Sequence, residues 1–137
     1  MHTIAHRWPT LIALALAALT FLDGRPAPEF LAGVLAAMPL FYLLFGMLRG
    51  ELRRPGVLAG QLAGLVGFAA VALLAVFLNG TLALLVLAAG WLGHAVWDAV
   101  HYARARVVPR QWSEWCGVFD ACGALALLLA AAAAVTG

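Results

Sequence analysis

The sequence predicts an all-α integral membrane protein: five transmembrane helices in one bundle, with the N-terminus in the cytoplasm. Three observations lead there. Of 137 residues, 66% are hydrophobic and only 10% charged, against roughly 25% charged in an ordinary soluble domain, and the mean hydropathy is +1.02. Long apolar runs recur along the chain, close to the roughly 20 residues needed to cross the hydrocarbon core. The basic residues, eight in all and every one an arginine, gather almost entirely on one side of a five-pass path.

Helices are expected over about 4–22, 30–48, 57–78, 82–101 and 112–136. The first has an uninterrupted apolar stretch, Leu11 to Leu22, as short as the core of a secretory signal, but no small-x-small cleavage site follows "LTFLDG". It is read as a membrane helix whose first turn holds Trp8 and Pro9, an interfacial anchor and a residue tolerated at a helix start. The remaining boundaries are punctuated by "DGRPAPE", "RGELRRPG", "NGT" and "ARVVPR". Connections this short make sequential helices antiparallel neighbours, so the whole chain, 1–137, is expected to form a single transmembrane domain. Within the third helix, Gly60 and Gly64 have GxxxG spacing and Gly67 follows, a stripe that suits close packing inside the protomer or a homodimer.

Arg7, Arg49, Arg53, Arg54, Arg104, Arg106 and Arg110 fall on one side of this path and Arg25 on the other. The positive-inside rule then places the first group in the cytoplasm, for a multi-pass protein of the cytoplasmic (inner) membrane. A net charge of +2, spread over membrane flanks, excludes a nucleic-acid binding stripe; the bilayer and its anionic headgroups are the expected partners. Cys116 and Cys122, six apart on one helix, are separated by about 9 Å and about 120°. They cannot form a disulfide within that helix.

The chemistry concentrates in "GWLGHAVWDAVHYARAR", residues 90–106. On an α-helix, with His94 at zero, Asp98 falls at about +40° and His101 at about −20°, one stripe about 60° wide. Trp91 and Tyr102 flank it near +60° and +80°, and Gly90 opens space near −40°. An aspartate at mid-membrane depth costs about 2.5–3.5 kcal/mol on insertion scales, so such residues normally face protein or water and mark function. Helix five offers Ser113, Cys116 and Asp120 on one face. Helix three offers Gln61, and helix one His6. If helices four and five pack antiparallel, Asp120 and Cys116 come alongside His94 and Asp98. Glu114 projects about 120° away from Asp120 and is expected to act as favourable charge near a helix N-terminus.

Imidazoles with carboxylates are the ligand types of catalytic zinc and non-haem iron sites. His94 and His101 stand about 10.5 Å apart along the axis, too far to share one ion whose ligands lie about 2.0–2.2 Å from it. Two arrangements remain. One histidine with Asp98 and Asp120, and with Cys116 or His6, holds a single metal while the other histidine acts as acid/base or positions a ligand; or Asp98 or Asp120 bridges two metals. The metal-free alternative is an ion-pair network or proton relay that hides Asp98 and joins helices four and five. Haem would need His6 with His101.

Together, "GHAVWDAVHY", "RVVPRQWSEWC" and "FDACG" resemble uncharacterised small bacterial multi-pass membrane proteins with a His-x-x-Trp-Asp-x-x-His core, then Val-Pro and a Cys-x-x-x-Asp segment. The resemblance covers residues 90–123. It implies no activity, only that His94, Trp97, Asp98, His101, Pro109, Cys116 and Asp120 form one unit. The expected function is that of a metal-dependent enzyme, using zinc or iron, a hydrolase or oxidase acting on a lipid or another membrane-soluble molecule. His94, Asp98, His101 and Asp120 are the expected catalytic residues, and Trp91, Trp97, Tyr102 and Gln61 the expected pocket lining. The competing expectation is a non-enzymatic transport, assembly or accessory subunit.

Overall fold

The structure, a computed structural model, describes residues 7–136, and their regular elements are helical throughout. The helices are α1 (Trp8–Phe21), α2 (Pro28–Leu48), α3 (Val57–Phe77), α4 (Gly80–Arg104) and α5 (Arg110–Thr136), with a short 3-10 turn at Glu51–Arg53. Helices α2 to α5 are long and apolar enough to cross a membrane, whereas α1, with 14 residues, is apolar but shorter. His6 and the first residues of the predicted helix one lie outside the described residues. Leucines, valines and phenylalanines cover the outside, Leu19, Leu73, Val66 and Phe77 among them, while Asp98, His94 and Asp120 are fully enclosed. That distribution is the reverse of a soluble domain's and identifies a multi-pass membrane protein.

Local chemistry explains where the helices begin and end. Helix α2 begins at Pro28, two residues before the expected start, because a proline in the first turn loses no hydrogen bond. Helix α4 runs past the expected end at His101 to Arg104, whose cation suits the C-terminal dipole. It stops at Ala105, which adopts a left-handed conformation, and Val107 does the same at φ 67°. A β-branched residue there is strained by about 1–3 kcal/mol. Burial of Val107 and Val108 against Tyr42 offsets that cost and seats the α4–α5 turn on α2.

Helix α5 packs most extensively on α4, and α1 lies on α5; α2 and α3 pair with each other and both touch α4. Small residues set these approaches. Gly123 faces Trp91, and a Cβ added there would lie 2.4 Å from the ring. Trp91 has no room to retreat, being fully buried with its indole N–H donating to the Leu31 carbonyl of α2 at 3.3 Å. Gly123→Ala should therefore destabilise the fold by about 1–3 kcal/mol through overpacking. Gly60→Ala, where an added Cβ meets nothing within 4 Å, should stay within about 0.5 kcal/mol of the parent. Unfolding by SDS in mixed micelles measures both, and equal stabilities would contradict the α4–α5 packing.

Candidate functional site

The buried positions of α4 recur every three or four residues, through Leu84, Leu87, Ala88, Trp91, His94, Asp98 and His101. This is one face of a helix. Its outer half is apolar and dry; its inner half carries the polar stripe, which lowers the mean hydropathy of α4 to 1.5 against 2.1 and 2.2 for the other long helices. The short turn at 105–109 folds α5 back antiparallel. Gly117 lets it approach closely, since an added Cβ would lie 3.1 Å from the Asp98 Cβ.

Asp120 of α5 thereby meets the stripe. The His94 Nδ1 lies 2.7 Å from Asp120 Oδ2 and 3.3 Å from Asp98 Oδ2. The Tyr42 hydroxyl, from α2, donates to Asp98 Oδ1. His94, Asp98, Asp120 and Tyr42 all have 0% exposure. Phe68 of α3 covers the His94 ring edge-on, with centroids 4.9 Å apart, and Tyr42 does so from α2 at 5.8 Å.

The enclosed group has more acceptors than donors. One imidazole N–H and one phenol O–H face two carboxyl groups, and His94 Nε2, Asp98 Oδ2 and Asp120 Oδ1 are buried without a hydrogen-bond partner. Buried polar atoms are satisfied in the great majority of cases, so each exception calls for a proton, a water or an ion. One ligand atom from each of His94, Asp98 and Asp120 lies within 4.8 Å of the others. Two atoms sharing an ion at about 2.1 Å can be at most about 4.2 Å apart, so small side-chain rotations would close the group around one cation.

The predicted site residues divide among three places. His94, Asp98 and Asp120 come together, and Cys116, though buried on the same face of α5, is not one of the three grouped ligands. His101 is turned to a different task. Its Nδ1–H donates to the Trp97 carbonyl at 2.9 Å, which leaves Nε2 to accept from the Gln61 amide at 3.0 Å. Gln61, Trp97 and His101 line a groove between α3 and α4. Trp91 sits in the apolar core, and Tyr102 stands on the opposite groove, between α4 and α5, with the Arg110 guanidinium 5.5 Å over its ring. Of the glycine stripe, Gly64 is filled by Trp97 within the protomer, an added Cβ lying 2.9 Å from that ring, while Gly60 and Gly67 face open space.

Tyr42 is the site residue that sequence reasoning missed. A signal was present: it is a tyrosine in the middle of an apolar run, away from the interface, where a phenol must find a buried partner. Glu114 also has a more specific role than charge near a helix N-terminus. It accepts from the Thr10 hydroxyl at 2.6 Å and lies 3.6 Å from Arg7, tying α1 to α5.

Fold and site thus define a multi-pass membrane protein with a buried histidine–aspartate–aspartate–tyrosine cluster shared by α2, α4 and α5. Comparison with protein-family models, curated proteins and solved structures returns no match to the chain.

Proposed function

We propose that the chain is a metal-dependent enzyme of the cytoplasmic membrane, with its N-terminus inside, acting as a hydrolase or oxidoreductase on a lipid or another membrane-soluble molecule. The observation that carries this reading is the convergence of His94, Asp98 and Asp120 with buried acceptors left over. An imidazole and two carboxylates form a borderline-hard donor set suited to zinc or iron(II). A divalent ion would satisfy Asp98 Oδ2 and Asp120 Oδ1 at once and offset two buried carboxylates that one histidine cannot balance. Tyr42 orients Asp98, as a hydrogen-bonded neighbour of a metal ligand does. His101 lies outside the ligand set and against the Tyr42 ring, with centroids 4.7 Å apart; its role is to move protons at the groove. The arginine distribution supports the orientation.

One observation favours a second reading, a structural network or proton relay: the contacts from Tyr42 through Asp98 and His94 to Asp120 already join α2, α4 and α5 without an ion. Elemental analysis of the purified protein, before and after reloading with zinc or iron(II), separates the two. The metal reading expects about one equivalent; less than about 0.2 equivalents with no recovery on reloading leaves the network reading.

A further inference from the structure

The groove between α3 and α4 is separate from the enclosed cluster and has its own polar floor. It measures about 820 Å³ and includes Gly60, Gln61, Trp97, His101, Arg104 and Arg106 in its lining. Along α4, Arg104, His101, Trp97 and Gly93 follow one another at three- and four-residue steps, so the groove changes character with depth. Arginines stand at its mouth. His101 and Gln61 lie about 4.5 Å further in, at about 1.5 Å per residue. Beyond them the wall is apolar, formed by Ala63, Gly93 and Val96.

Two observations indicate what fits. Neither Arg104 nor Arg106 has a carboxylate within 4 Å among the described residues, where Arg7 and Arg54 do. A planar guanidinium at such a place is suited to phosphate. Gln61 is only 5% exposed, yet its side-chain carbonyl has no hydrogen-bond partner, because its amide is committed to His101 Nε2. That carbonyl requires a donor from the occupant, and a phosphate oxygen cannot supply one.

We infer that this groove binds a phosphate-headed lipid with a free hydroxyl on its glycerol backbone, of the lysophosphatidic acid kind. The phosphate meets Arg104 and Arg106, the hydroxyl donates to Gln61 one turn deeper, and the acyl chain follows Ala63, Gly93 and Val96 into the bilayer. The order of groups along the lipid matches the order of groups along the groove. The inference does not rest on the metal reading, and the two fail separately: metal content is measured on the same samples and is expected to be unchanged by every substitution below.

The test is equilibrium binding of lysophosphatidic acid to the full chain in phosphatidylcholine nanodiscs. Its 2-deoxy analogue, which lacks the hydroxyl, a monoacylglycerol, which lacks the phosphate, and inorganic phosphate serve as comparisons. The intact lipid should bind at least about tenfold more tightly than either truncated form, and inorganic phosphate should not compete. The double substitution R104Q/R106Q should erase the preference over monoacylglycerol. Gly60→Leu, placed where an added side chain meets open space, should block the groove and weaken binding at least about tenfold without unfolding the protein. Equal binding of the intact and truncated lipids overturns the inference, as does full binding by Gly60→Leu, which would mean diffuse surface attraction. Competition by inorganic phosphate would make the ligand a free anion, and a dimer that occludes Gly60 would make the occupant a second copy; either overturns it.

Discussion

Asp98→Asn should lose its metal while keeping its fold. Asparagine is isosteric, and its carbonyl oxygen still accepts from the Tyr42 hydroxyl, so the bond between α2 and α4 is retained. The negative charge at Oδ2, 3.3 Å from His94 Nδ1, is gone. Altering a neighbour of a metal ligand costs about 10–100-fold in affinity, so removing a charged ligand should cost at least about 100-fold. Metal content after dialysis against a weak chelator, read beside far-UV circular dichroism, checks this. Should the variant instead unfold, with no metal detected in the parent either, the cluster is a structural network.

Asp120→Ala should have the larger effect on stability. The side chain is fully enclosed and makes the shortest contact of His94 Nδ1, 2.7 Å, across the α4–α5 interface. Removing one partner of a buried pair leaves the other without compensation, at a cost of about 3–5 kcal/mol. His101→Gln is the informative contrast. His101 contacts Gln61 and the Trp97 carbonyl rather than the cluster, so its replacement should cost about 1–3 kcal/mol and leave metal content unchanged. SDS unfolding in mixed micelles and elemental analysis read the two effects independently. Equal loss of metal in both variants would put His101 among the ligands and contradict the geometry.

Much of the cluster could be read from helical arithmetic. His94 and Asp98 are four residues apart and belong to one stripe on any regular helix, and a short turn makes α4 and α5 antiparallel, which brings Asp120 within reach. The same arithmetic places His101 on that stripe, and there it does not decide partnership. His101 is near enough to the end of α4 to turn toward α3, where Gln61 offers a donor. Trp91 shows the same limit: its angular position allows a pocket or a core, and Gly123 settles it by providing space for the ring. Tyr42 lies 56 residues before Asp98, and no local period connects them.

The sequence by itself determined a multi-pass bundle of apolar helices, their approximate limits, and the one-sided face of α4, because membrane insertion and helical period depend on composition and spacing within a segment. The choice of partners belonged to the tertiary structure. Which histidine meets Asp120, which helix supplies the phenol, and which glycine accepts a tryptophan depend on how side-chain volumes interlock between helices distant in sequence. Lipid is as apolar as the helix surfaces, so hydrophobicity does not select among those contacts. Close packing and the need to satisfy buried polar groups do.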